Sequence, residues 1–342
     1  MQNTRQQPGM KQHLTKQRGM TLIEIMIALT LSLLLIGGVI QLFLSSKQTF
    51  RMNEALARVQ ESGRLALDSM SRELRIAGYQ GCADPGSVAS ESTILNNSPT
   101  ANLSQTAIAG SDGGAGSDSL TIQYASGLEA KLTKNIDLTN AQVVVDSNPE
   151  GMGANDVMVL ADCATVHLLR VTAVNPGASD VTIDFGASEN DLSKITKVYG
   201  PPSSRVLRFN SVTYSVAPSG RTNGRGEVIK SLFRQGLNDP NPVELVEGVE
   251  NLQLQYGERL ANGSMRYSSA GTAGLDMAKV ESIRIGLLLA AMDVSGEQSD
   301  NKSYDIAGTT VGPEGSSATV THPVDQHLRR AFNTTVTLRN RR

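Results

Sequence analysis

The 342-residue sequence predicts an α+β protein in which one long N-terminal helix, first apolar and then amphipathic, packs on a β-rich globular domain. Three patterns support this class. Residues 20–44 are almost entirely apolar, apolar positions spaced by three or four continue to about residue 78, and the remainder alternates apolar and polar residues with period two. We therefore expect a leader at 1–19, a membrane-spanning helix at 20–44, its amphipathic continuation at 45–78 and a β-rich domain at 79–342.

The apolar segment is long enough to span a membrane. Its 25 residues would form a helix of roughly 37 Å, against a hydrocarbon core of about 30 Å. The leader carries Arg5, Lys11, Lys16 and Arg18 but no acidic residue, which favours a cytoplasmic leader and a domain on the outer side of the membrane. No small-x-small cleavage site closes the run, so we expect the helix to be retained.

Glu24 is the single charged residue of this segment. A carboxylate in a bilayer costs on the order of 2.5 to 3.5 kcal/mol near the centre and less near an end. One interpretation is that Glu24 reaches the cytoplasmic headgroups as a tolerated boundary residue. The other is that it pairs with a cation. Cleavage between Gly19 and Met20 would create one, since the new α-amine would lie one helical turn away on the same helix or be offered by a neighbouring subunit.

The stretch from Arg18 to Leu29, RGMTLIEIMIAL, resembles the class III signal of type IV pilins and type II secretion pseudopilins. The resemblance implies that a prepilin peptidase cuts after Gly19, that Met20 becomes the N-methylated mature terminus, and that Glu24 guides the subunit into a growing filament. Two features depart from the usual pattern. Met20 stands where major pilins usually carry Phe, and the helix lacks proline, which leaves Gly37 and Gly38 as its weak point.

The helix is expected to continue beyond the membrane with one apolar face. That face is formed by residues three or four positions apart: Leu56, Val59, Gly63, Leu67, Met70 and Leu74. Two acid-first i,i+4 pairs mark the solvated face: Glu54 with Arg58, and Asp68 with Arg72. Gly78 is a natural stop for the helix.

The rest of the chain predicts strands separated by turns. Period-two alternation is clear at 207–209, 212–216, 252–256, 283–287 and 332–338, and weaker at 120–124, 141–145, 157–160, 166–174 and 181–185. Segments rich in Gly, Ser, Asn, Asp and Pro predict loops at 111–118, 149–155, 218–226, 238–242 and 295–317. The domain's length fits either one large lobe or two coupled lobes.

Composition argues against a broad nucleic-acid-binding surface, because the formal net charge is -2. Aromatic residues make up 4% and Trp is absent, so aliphatic packing is expected in the core. Arginines cluster at the C-terminus: Arg329, Arg330, Arg339, Arg341 and Arg342. We interpret them as flanks of a final strand that keep its edge soluble, with DNA contact as the weaker alternative.

Two cysteines, Cys82 and Cys163, lie in the part of the chain that we place in an oxidising compartment. An even pair in that setting favours a disulfide, which would fasten the start of the globular domain just after the helix. Two independently buried thiols are the alternative.

The sequence contains only weak matches to catalytic and metal-binding motifs. His13 lies in the leader, His167 in a strand-like run, and His322 and His327 in a loop, without metalloprotease, thioredoxin or hydrolase signatures. The overlapping Ser299–Lys302 motif and Gly151–Gly153 are read as chance matches. Asp112 and Asp118 are calcium candidates that lack a regular ligand ladder. We expect no enzymatic activity and no cofactor.

Further blocks resemble the PilW-type minor pilins: 74–82, 245–257, 280–288, 329–332 and 338–340. The resemblance implies a priming complex for pilus assembly in the inner membrane, a periplasmic C-terminal domain and a place at the pilus tip. The implied partners are other minor pilins, the major pilin, the prepilin peptidase, the inner-membrane assembly platform and a tip adhesin. The alternatives are a J-type pseudopilin of type II secretion and a membrane-anchored adhesin or ligand-binding module.

Overall fold

The structure is a computed structural model that describes residues 19–83, 107–293 and 298–340. Within these ranges one long helix precedes eighteen strands, as the predicted α+β class requires. The chain divides between Arg51 and Met52 into two compact units. Most of the leader, including His13, and the last two arginines, Arg341 and Arg342, lie outside the described residues.

Helix α1 runs without interruption from Leu22 to Ile76, through Gly37 and Gly38. In the first unit its side chains are almost all exposed, and among the described residues it is the one helix long and apolar enough to cross a membrane. In the second unit, the helix buries four residues of the predicted apolar face, Val59, Gly63, Met70 and Leu74, together with Ala66 and Ser71, which were not predicted. Leu56 and Leu67 are half-buried.

The solvated face and the helix end follow the expected pattern. Both i,i+4 ion pairs form on exposed side chains, at 2.7 Å for Glu54–Arg58 and 3.2 Å for Asp68–Arg72. The helix ends two residues before Gly78, whose φ of 75° is the left-handed conformation that glycine adopts readily. The Gly78 N–H donates to the carbonyl of Gln123 at 2.9 Å, which fastens the end of the helix to the first large sheet.

That sheet has eight strands. Its main path is β1–β2–β9–β10–β11, and β3, β5 and β6 attach to it. The strands are β1 (Ile108–Ser111), β2 (Ser119–Ala125), β3 (Ala130–Lys131), β5 (Val157–Ala161), β6 (Val166–Arg170), β9 (Arg205–Thr222), β10 (Val228–Gly236) and β11 (Val243–Glu247).

Strand β9 bears on whether the globular head consists of one lobe or two coupled lobes. It is 18 residues long; its first part pairs with β3 and β5, and its later part pairs with β2 and β10. The two halves of the head therefore share one continuous strand.

Three smaller sheets complete the head. A four-stranded sheet has the order β13–β12–β14–β18: β13 (Met265–Ser268), β12 (Val249–Arg259), β14 (Val280–Ala290) and β18 (Arg329–Thr337). A three-stranded sheet contains β15 (Tyr304–Ile306), β16 (Thr309–Pro313) and β17 (Val320–His322). Another contains β4 (Gln142–Val145), β8 (Val181–Asp184) and β7 (Ala173–Pro176).

The largest core lies around the second half of α1. Val59, Ala66, Met70 and Leu74 of the helix belong to one buried cluster with two groups of strand residues. One group comes from the eight-stranded sheet and includes Ile122, Val212 and Leu232; the other comes from the four-stranded sheet and includes Leu254, Ile285 and Val336. A second core fills the space between the β4–β8–β7 sheet and strands β3, β5 and β6.

The prediction of a loop was wrong for parts of two segments. Residues 218–222 of the expected 218–226 loop continue β9, because Pro218 lies opposite Lys230 next to a register shift, where a strand tolerates proline. The expected 295–317 loop contains β15 and β16, joined by a two-residue turn at Ala307 and Gly308 with φ of 51° and 83°. Positive φ at both turn residues is the hairpin geometry of a type I′ turn. Residues 294–297 lie outside the described residues.

Gly286 of β14 allows the three-stranded sheet to approach the four-stranded one. A Cβ there would lie 2.4 Å from the backbone nitrogen of Ala307 and 2.5 Å from the carbonyl carbon of Ile306. We predict that Gly286→Ala destabilises the head by about 1–3 kcal/mol, since backbone cannot move aside as a side chain can. The melting temperature of the full chain in detergent should fall by about 2–4 °C per kcal/mol.

Gly127→Ala is the matched control, because a Cβ at Gly127 meets no atom within 4 Å. An unchanged melting temperature for Gly286→Ala would contradict the close approach of the two sheets.

Candidate functional site

The predicted processing site lies immediately before α1. Gly19 and Met20 precede the helix, and Thr21 caps it, since the Glu24 N–H contacts Thr21 Oγ1 at 3.3 Å and the Thr21 carbonyl at 3.1 Å. Thr21 and Glu24 thus have the spacing of a capping box. This role of Thr21 was not predicted, although the Thr-x-x-Glu pattern could have indicated it.

Glu24 is an exposed acid in the first turn of the helix, where the helix dipole favours a negative charge. The apolar side chains that follow it up to Leu44 are exposed as well. Such a surface needs lipid or neighbouring helices to cover it. The residues Gly19, Met20 and Glu24 therefore lie close together in sequence at the start of an apolar helix.

At its other end, α1 is fastened to the head by Glu73. Its Oε1 accepts from Arg234 Nε at 3.1 Å and Nη2 at 2.9 Å, and its Oε2 accepts from the Tyr214 hydroxyl at 2.8 Å. Arg234 lies on β10 and Tyr214 on β9, so the carboxylate joins the helix to two strands of the eight-stranded sheet. Sequence reasoning missed Glu73. The available signal was an acid beside the apolar face with no Lys or Arg three or four residues away.

The surroundings of Glu73 keep the neighbouring phenols protonated. Burial, and then the negative charge of Glu73, raises the pKa of Tyr124 to about 12. The same two causes raise the pKa of Tyr214, which therefore remains a hydrogen-bond donor to Glu73. Burial alone would lower the pKa of Arg234, but the bonds and charge of Glu73 outweigh it and raise the pKa. The cluster is thus a charged pair with neutral donors around it.

A disulfide fixes the chain just after the helix. Cys82 and Cys163 are bonded, with their Cα atoms 4.8 Å apart, within the usual range for disulfides. Cys163 lies in the turn between β5 and β6. The predicted pairing is therefore present, and it connects the segment after α1 to a hairpin of the head.

The interpretation of Arg329 as a solubilising edge residue was wrong. Its side chain is 0% exposed and binds Glu250 and Asp325 in bidentate fashion at 2.7–2.9 Å, with Asp300 at 3.5 Å. Burial would lower the pKa of this guanidinium, but Asp325 and Glu250 outweigh it and raise the pKa. Arg330 and Arg339 are exposed, as expected. No local pattern distinguishes Arg329 from the other arginines of the cluster.

The histidines of the head are held as structural groups. The ring nitrogens of His322 contact the carbonyls of Pro323 and Lys302 at 2.9 and 2.8 Å. Those of His327 contact the Ala291 carbonyl at 2.6 Å and Glu227 at 2.8 Å. Each of these four ring nitrogens faces an oxygen atom of the head, so hydrogen bonds hold both rings in place. Both rings line a cavity of about 590 Å³.

The two calcium candidates, Asp112 and Asp118, accept hydrogen bonds from backbone N–H groups. Asp118 accepts from the Gly113 and Leu254 N–H groups at 2.9 and 2.7 Å, and Asp112 accepts from Gly114 at 2.7 Å. Burial raises the pKa of Asp118. Among the described residues, no three His, Cys, Asp or Glu side chains are grouped as metal ligands.

The two motifs read as chance matches have structural explanations. Asp300 of the Ser299–Lys302 stretch accepts from the Tyr304 hydroxyl at 2.8 Å and faces the buried Arg329. Asn148 closes the loop around Gly151–Gly153 through two 2.9 Å bonds to Met152. A strand follows this loop, whereas phosphate binding requires a helix N-terminus.

Comparison with known families gives two matches on separate parts of the chain. Residues 14–40 match the prokaryotic N-terminal methylation motif, which covers the processing segment. Residues 213–340 match the family model of type IV pilus-assembly protein W, from within β9 to just after β18. Over these residues the chain is similar to PilW-type minor pilins. Strands β1–β8 lie outside the matched region.

Comparison with solved structures finds a type IV-like pilin from Thermus thermophilus. It is 13% identical to this protein, with a TM-score of 0.35, over 83% of this chain and 96% of that one. No curated protein matches the chain.

We predict that Glu73→Gln destabilises the head by about 1–3 kcal/mol, because it leaves the half-buried Arg234 without a carboxylate. The melting temperature of the full chain, followed by circular dichroism, should fall accordingly. Asp68→Asn on the same helix is the control, and it should cost only a few tenths of a kcal/mol because its ion pair is exposed. Equal effects of the two substitutions would argue against the anchoring role of Glu73.

We also predict that opening the disulfide lowers the stability of the protein by up to about 4 kcal/mol, since the two cysteines are 81 positions apart and the bond restricts a long loop in the unfolded chain. Cys82→Ser and Cys163→Ser should lower the melting temperature to a similar extent. Mass spectrometry of the unreduced protein should find neither thiol alkylated. Free alkylation of both thiols would contradict the bond.

Proposed function

We propose that this minor pilin takes part in the priming complex that starts type IV pilus assembly, and that it is placed at the pilus tip. In this proposal a prepilin peptidase cleaves after Gly19 on the cytoplasmic side and Met20 becomes the methylated terminus. The helix stays in the inner membrane with the head in the periplasm. Assembly then proceeds by pairing Glu24 with the amine of a terminal residue, on its own or a neighbouring helix.

The observation that carries the proposal is the position of Gly19, Met20 and Glu24 at the start of one continuous helix of 55 residues. Cleavage after Gly19 creates an amine one turn before Glu24. A unit charge pair 4 Å apart gains about 4 kcal/mol at an effective dielectric constant of 20, comparable to the cost of inserting the carboxylate. An apolar environment therefore favours the paired state of Glu24 over the unpaired one.

The match to a pilus-assembly family supports a pilus over the J-type pseudopilin of type II secretion. The proposed partners are the other minor pilins, the major pilin, the assembly platform of the inner membrane and a tip adhesin. A head of eighteen described strands is larger than a repeating shaft subunit requires, which supports a terminal position in the filament.

The experiment compares Glu24→Ala with Glu24→Gln. Both variants keep the backbone N–H of residue 24 that contacts Thr21, and both lack the charge. Gln also keeps the size and polarity of the side chain, whereas Ala removes them. Both variants should insert into the membrane and lose the leader normally, as read from the intact mass. Both should reduce co-purification with co-expressed minor pilins by about tenfold or more, because each lacks the carboxylate.

Three results would overturn parts of the proposal. Wild-type recovery of partners and pili by Glu24→Gln would show that the residue acts through its polar side chain and not through its charge. A mature protein that retains residues 1–19 would overturn the processing step. Normal pilus numbers in a strain that lacks the protein would overturn the priming role.

A further inference from the structure

Strand β18 is an edge strand, hydrogen-bonded to β14 on one side. Two bonds fix the phase of this pair: Leu338 N–H to the Glu281 carbonyl and Ala291 N–H to the Leu328 carbonyl, both at 2.9 Å. Hydrogen-bonded pairs alternate along an antiparallel ladder. The even-numbered residues of β18 therefore bond to β14, and the backbone N–H and C=O groups of residues 329, 331, 333, 335 and 337 point away from it.

This outer edge is open over the full length of the strand. Within the described part of the chain, no group bonds to the outward backbone atoms of these five residues. The strand is nine residues long and contains no proline or register shift. Long regular edges of this kind accept an additional strand unless they are covered or interrupted.

A groove of about 460 Å³ lies beside the edge, between α1 and β18. Phe332 lines it, and the helix carries Gly63 where the Phe332 ring approaches, since a Cβ at that position would lie 2.5 Å from the ring. Three arginines line the groove: Arg64 and Arg75 from α1, and Arg330 from β18. The groove thus combines an aromatic surface with a basic lining.

The charge of the groove is not balanced within the head. Asp68 is its one acidic lining residue, and it pairs with Arg72 at 3.2 Å. No acid among the described residues forms an ion pair with Arg64, Arg75 or Arg330. The arginines leave the groove with an excess of positive charge beside the open edge.

We propose that the open edge of β18 and this arginine groove bind an extended acidic segment of a partner protein, which adds a fifth strand to the four-stranded sheet. A strand added beyond β18 would lie about 4.8 Å from it and direct alternate side chains over the groove. Acidic side chains on that face meet the three arginines. A second copy of this chain fits less well, because pairing β18 with itself brings two basic grooves together.

The test uses the full chain in detergent micelles and a fluorescein-labelled nine-residue peptide that alternates valine and glutamate. A second peptide has lysine in place of glutamate. Fluorescence anisotropy should show binding of the glutamate peptide, and affinity at least about tenfold weaker for the lysine peptide. Arg330→Glu should weaken binding of the glutamate peptide by about tenfold or more, and added salt should weaken it in the wild-type protein.

Thr335→Pro tests strand addition separately from charge. Thr335 is exposed and its N–H points outward, so proline removes a donor to the added strand and leaves the bonds to β14 intact. This variant should bind the glutamate peptide about tenfold more weakly or worse, whereas Thr335→Ala should bind like the wild type. Circular dichroism checks that each variant keeps its melting temperature.

Equal binding of both peptides, no binding of the glutamate peptide, or wild-type affinity of a folded Thr335→Pro variant would each overturn the proposal. These assays do not involve the processed N-terminus. Their failure is thus distinguishable from a failure of the Glu24 assembly role.

Discussion

The burial of one face of α1, from Val59 to Leu74, is the contact on which the head depends. This face belongs to the same core as the apolar sides of both the eight-stranded and the four-stranded sheet. Full burial of a Met or Leu side chain contributes about 1.5–3 kcal/mol, and Met70 and Leu74 are completely buried. Because neither sheet has another cover for this surface among the described elements, helix and sheets are expected to unfold together.

Apolar burial has no preferred direction, so polar contacts are needed to set the position of the helix along its axis. Glu73 binds two strands, the Gly78 N–H binds Gln123, and the Cys82 disulfide follows six residues after the helix end. Asn340 adds a contact from the other end of the chain, since its side-chain amide donates to the Ile76 carbonyl at 3.3 Å. These contacts are clustered around the end of α1, where a shift of the helix would break the hydrogen bonds and is limited by the disulfide.

The parts of the fold that depend on local patterns could be predicted from the sequence. The period of 3–4 residues located the buried face of α1, Gly78 marked its end, and period-two alternation located β12, β14 and the greater part of β18. The strands β1, β3, β10, β11, β13 and β15–β17 were not predicted. All of them except β10 have five residues or fewer, and such strands form through their partners.

The ion pairs of Glu73 and Arg329 could not be predicted for a related reason. Glu73 and Arg234 are separated by 161 positions, and Arg329 and Glu250 by 79, so no spacing rule connects them. Charge alone suggested that Arg329 is exposed. In the fold, Arg329 is instead buried. It is the first residue of β18, and its side chain faces three acids that come from different loops and strands.

Glu24 differs from the buried or half-buried acids of the head in one respect. Glu73 and Glu250 each bind an arginine, and Asp118 accepts two backbone N–H groups. Among the described residues, no basic group lies within ion-pair distance of Glu24, and its recorded contacts are those of its own backbone to Thr21. A carboxylate of this kind is stable in water, but in an apolar environment it needs a cation that the described residues do not supply. The partner of Glu24 must therefore come from a new terminal amine, from lipid headgroups or from a neighbouring subunit.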